Sequence, residues 1–227
     1  MTDYKAELFA LRRELDAAQQ RANAFTDPDL TPAGLQARRE QIVATARQAA
    51  GPVLEQLRAG AARDAAALTG RAAQLLPQQA ADADTTARVG ARWAAIQPLL
   101  AAGKPLRDVL ASADAETAHA IASYGPSFAE AAAYRPGQGD QPAPDHGPLL
   151  RAVDARLAAL SGPDAVAALV AAHESAAVAA GVEVAGRHLA DTLAGVNTGS
   201  TELGSSLDSH YAEQAARQGL AAADGGA

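Results

Sequence analysis

An all-α fold follows from three properties of the sequence. Alanine, the strongest helix former, supplies 63 of the 227 residues. β-branched residues are sparse, and no alternating apolar–polar run is long enough for a strand. Apolar residues recur instead at helical spacing, between clusters of proline and glycine. The expected arrangement is a long N-terminal helical hairpin, a compact region of short helices, a linker, and then a second long-helix segment. Residues 1–134 make the first part, 135–148 the linker, and 149–227 the C-terminal helical segment with a flexible tail.

The first helix carries Tyr4, Leu8, Leu11, Leu15, Ala18, Ala22 and Phe25, spaced alternately by four and three residues. That is a coiled-coil stripe. Glu7, Arg12, Arg13, Glu14, Asp16, Gln19, Gln20 and Arg21 make the solvated face. The stripe has two uses: folding back on its own chain, or docking on a partner helix. It is the candidate helix-association surface.

FTDPDLTPAGLQARRE, Phe25 to Glu40, reads as the corner of the hairpin. Asp27-Pro28-Asp29 forms the turn, and Thr31 before Pro32 suits an N-cap followed by proline at the first helical position. The second helix runs from Pro32 towards Leu76. Its apolar face is expected on Leu35, Ile42, Ala46, Ala49, Val53, Leu57, Ala61, Leu68, Ala72 and Leu75, with a kink or break at Gly51-Pro52. Arg38-Arg39 reads as a solvated face or as an i,i+4 partner of neighbouring glutamates.

A third helix is expected to start near Asp84 or Thr85 and to carry Val89, Trp93, Ile96, Leu99 and Leu100, with Pro98 bending or closing it. Two short helices follow. Lys104-Pro105 opens one, Ser112 or Asp114 caps the next, and Gly125-Pro126 stops it. This region, Trp93 to Tyr134, is the best candidate for a globular core, with Trp93 as its anchor. Arg135 to Pro148 holds four prolines, three glycines and no large apolar residue, the composition of a linker. A short helix, Leu149 to Leu160, then ends at Ser161-Gly162-Pro163-Asp164. A long Ala/Val helix continues to about Gly195, VNTGSTELGSS forms another connection, and a last short helix spans about Leu207 to Leu220.

Composition narrows the function. More than half of the apolar residues are alanine. Burial stabilises by about 25 cal/mol per Å² of apolar area, so such a core is thin per residue and gains from a partner. The net charge of −7 argues against nucleic-acid binding through a basic face. Acidity is concentrated after residue 80, with 17 Asp and Glu against 9 Lys and Arg. With no cysteine, thiolate ligands and cysteine nucleophiles are excluded. The N-terminus lacks the basic start and apolar core of a signal peptide, and no window approaches about 18 large apolar residues in a row. A bacterial cytoplasm is expected, without membrane association.

Catalytic motifs are missing where they would be sought. His173-Glu174 begins like a zinc-protease helix, but Ala177 stands where the second histidine belongs. His188 and Asp191 share a helix face, yet two ligands are too few for zinc. His119, His146 and His210 lie in separate segments. Asp82/Asp84 and Asp114/Glu116 sit at helix starts, where carboxylates cap free N–H groups. No catalytic, cofactor-binding or metal-binding residue is therefore expected.

The runs FTDPDLTPAGLQARREQI and RWAAIQPLLAAGKPLRDVLASADAETAHAIASYGPSF, with their D-x-x-L-T-P-x-G-L corner, resemble small Ala-rich helical proteins of actinobacterial phage and prophage structural gene clusters. The resemblance covers about residues 1–134 and carries over no functional residue. It implies a virion or assembly component: a scaffold, minor capsid or head-tail protein. Its partners would be copies of itself or capsid-type proteins, and it would reside in the bacterial cytoplasm or the assembled virion. The alternative is an acidic regulatory module, of inhibitor or anti-defence type, that masks a charged protein partner. An enzyme site built from dispersed His, Asp and Glu residues is a third reading.

Overall fold

A computed structural model describes residues 3–80, 82–133 and 144–194. Among them the chain forms seven α-helices and no strand: α1 (Tyr4–Ala24), α2 (Pro32–Leu75), α3 (Ala83–Ala101), α4 (Leu106–Ala111), α5 (Ala115–Ala133), α6 (Gly147–Ser161) and α7 (Pro163–Leu193). The predicted all-α class is what is found. Most of the Arg135–Pro148 linker, the VNTGSTELGSS connection, the helix expected near Leu207–Leu220, and His210 lie outside the described residues.

Side-chain oxygens start the helices. Asp3 accepts from the N–H of Ala6, Thr31 from Gly34 at 3.2 Å, and Asp82 from Thr85 at 2.7 Å. Asp114 accepts from Thr117 at 2.8 Å. Each offers an acceptor to a first-turn N–H that has no partner within its helix. The third helix thus begins a residue before Asp84, because Asp82 holds the cap. At the hairpin corner, Asp27 accepts from the N–H of Asp29, a local turn bond. Gly162, at φ +108°, lets the chain leave α6 and enter α7 at Pro163.

Neither α2 nor α5 stops at its Gly-Pro pair, where the sequence predicts a kink or break in α2 and an end in α5. α2 continues through Gly51-Pro52, and α5 through Gly125-Pro126. A proline frees the carbonyl four residues before it. At Pro52 that residue is Gln48, and both are exposed, so water can take the freed carbonyl. Ala50, Leu54 and Leu57 are meanwhile buried and hold the helix on its neighbours. At Pro126 the adjacent Gly125 is buried where α5 meets α6, and a Cβ there would lie 2.9 Å from Leu149 Cδ2. Tertiary packing outweighs one lost hydrogen bond in both places. Pro98 likewise sits inside α3, which ends at Ala101.

The buried face of α2 also differs from the expected one. Ala50 and Leu54 face inward, in place of Ala49 and Val53, and Val53 and Leu75 are exposed. Leu57, Ala61 and Ala72 are buried as expected.

The chain divides into two compact units. The first comprises residues 1–67 and 173–227, the second 68–172, so the division falls inside α2 and inside α7. The core of the first unit joins Tyr4, Leu8, Leu11 and Leu15 of α1, Ala50, Leu54, Leu57 and Ala61 of α2, and Val182, Ala185 and Leu189 of α7. The core of the second gathers Val89, Trp93 and Ile96 of α3, Val109 and Leu110 of α4, Ile121 of α5, and Val153 and Leu157 of α6. This is the expected Trp93-centred core, with α6 added to it.

No run of about 18 large apolar residues occurs, as expected, but α7 contains an 18-residue stretch of mean hydropathy 1.6 and so is long and apolar enough to cross a membrane by length and composition alone. Alanine and valine supply most of that index, with few larger side chains among them. A third of its most apolar stretch is buried in the fold, and helices of soluble cores satisfy the same test.

Candidate functional site, an aromatic face on the second unit

The heptad stripe faces the interior of the first unit. Tyr4, Leu8, Leu11, Leu15, Ala18 and Ala22 are all buried. Phe25 is half-buried at the end of α1, and its carbonyl accepts two hydrogen bonds from the Arg39 guanidinium, at 3.1 and 2.9 Å. Arg39 is thus a C-cap of the preceding helix and not a solvated surface residue. Tyr4 donates its hydroxyl to Asp64 at 2.8 Å, and its ring passes beside Gly60, where a Cβ would lie 3.0 Å from the hydroxyl oxygen. As folded, the stripe packs within its own chain.

An ion-pair network fastens α7 to α2 in the first unit. Arg58 grips Glu183 with two nitrogens, at 2.9 and 2.7 Å. Glu55 joins Arg58 and Arg187 joins Glu183. Gly186 leaves room for the Arg58 stem, since a Cβ there would lie 3.0 Å from Cδ. The hydrogen bonds from Arg58, then from Arg187, hold the Glu183 carboxyl below its usual range; the bond to Glu183 in turn raises Arg58. The sequence showed Glu183 and Arg187 at helical spacing. Arg58, 125 residues away from Glu183, carries no such signal.

The described histidines join no metal-type cluster. His146 meets Glu130 at 2.9 Å, next to the start of α6. The Nε2 of His119, on α5, is buried without a hydrogen-bond partner. Among the described residues no three His, Asp or Glu side chains come together in a way that could hold a metal ion. The carboxylates near helix starts serve as caps or pairs. Hydrogen bonds from the Thr117 side chain and backbone hold Asp114 below its usual range. Glu116 accepts from Arg88 and Arg92, each at 3.2 Å, tying α5 to α3.

What remains is apolar. Trp93 of α3 is 8% exposed, whereas Tyr124 and Phe128 of α5 are each 37% exposed. The Tyr124 ring stacks on Trp93 with centroids 5.8 Å apart and 28° between planes. Phe128 meets the same indole edge-on, at 5.8 Å and 73°. Tyr124 and Phe128 are one helical turn apart on α5, so both lean on the indole while keeping part of their rings in water. Gly90 lies next to the Tyr124 hydroxyl, 3.7 Å from where a Cβ would stand.

Such a face suits the burial of a partner's apolar side chains. Large rings held by packing lose little freedom on binding, which is why aromatic residues are enriched at protein interfaces. The wider unit shares this character. Of the eleven exposed large apolar side chains among the described residues, eight lie in the second unit. The sequence marked Trp93 as a core anchor but gave Tyr124 and Phe128 no role; their four-residue spacing was the available signal. No protein-family model, curated protein or solved structure matches this chain.

Proposed function

We propose that this protein is a non-enzymatic helical assembly component, of the scaffold, minor capsid or head-tail kind in a phage or prophage virion, acting through helix–helix association. The observation that carries the reading is the half-exposed Tyr124–Phe128 pair backed by Trp93. It supplies a firm apolar surface in a chain whose other apolar residues are mainly alanine. The α1 stripe is buried in the first unit, so the reading draws its support from the exposed apolar side chains of the second unit. The acidic balance and the resemblance of the first 134 residues to phage structural proteins support the same reading. Its site of action is the bacterial cytoplasm or the assembled virion.

Light scattering across a concentration series, alone and with capsid-type proteins, tests the proposal. The expected result is a mass that rises with concentration or on mixing, and that no longer rises in the Tyr124→Ser/Phe128→Ser variant at unchanged helical content. A strict monomer that fails to co-assemble would overturn it.

A further inference from the structure

We draw no further inference here: the strongest candidate, the half-exposed aromatic face formed by Trp93 of α3 with Tyr124 and Phe128 of α5, belongs to the site already described, and nothing in the structure shows what covers it.

Discussion

The two units solve the same problem, a scarcity of large side chains, in different ways. The first packs long helices closely through alanine and leucine, and closes its edges with polar ties: Tyr4 to Asp64, Arg39 to the Phe25 carbonyl, Arg58 to Glu183. Among its described residues three large apolar side chains are exposed, Phe9, Leu30 and Val53. The second unit builds from shorter helices around the single tryptophan and exposes eight such side chains among its described residues. It also keeps an unpaired polar atom, His119 Nε2. Among the described residues, the first unit exposes fewer large apolar side chains than the second.

The largest effects should come from the two cores. Leu54→Ala and Ile121→Ala each remove a side chain that is at most 1% exposed. Each should cost about 2–5 kcal/mol. Hydrogen exchange should lose protection in α1 for the first variant and in α3 to α5 for the second. Uniform loss across the chain in both variants would break the comparison.

Gly125→Leu comes next. The end of Leu149 can move away from a single Cβ, but a branched side chain meets Ile121 Cγ2 and Leu106 Cδ2 as well, at 3.5 and 3.6 Å from the Cβ position. Overpacking should cost about 1–3 kcal/mol. Gly125→Ala should lie near neutral, because the gain in helix propensity, about 1 kcal/mol, offsets the smaller clash. Thermal melts of the two variants separate these outcomes.

His119→Leu should have a smaller effect, of the opposite sign. A buried polar group without a partner costs about 1–3 kcal/mol, and an apolar side chain of similar size recovers part of that. Chemical denaturation should show a gain of about 1 kcal/mol. A loss would mean that the imidazole has a partner in solution.

The smallest change concerns pH. Glu183 is held below its usual carboxylate range, so its contribution is fully present above its unfolded pKa and is lost as pH falls through the lowered folded one. The pair is partly exposed, which keeps the contribution modest. Glu183→Gln should therefore lower the stability of the first unit at neutral pH and flatten its acid dependence. The acid response of the second unit should persist, since Asp82 and Asp114 are lowered by their cap hydrogen bonds. Denaturation midpoints measured from neutral pH to below the carboxylate range would check both statements. An unchanged acid dependence in the variant would sever the link between Arg58 and the closure of the first unit.

The sequence by itself determined the helical class, most helix starts, the hairpin corner and the buried face of α1. These are local matters. Alanine content, a Thr-Pro start or an Asp two residues before an N–H acts within one or two turns, and its energy does not depend on distant residues. Tertiary structure decided the rest. It carried two helices through prolines that local rules would stop, because buried neighbours on either side outweigh one missing hydrogen bond. It moved the inward face of α2 from Ala49 and Val53 to Ala50 and Leu54, adjacent positions equally apolar in a one-dimensional reading. Arg58 met Glu183, Val182 and Leu189 joined the α1 stripe, and two half-exposed rings settled on Trp93. Contacts of that range depend on which chain segments the whole fold brings together, and no spacing within a helix encodes them.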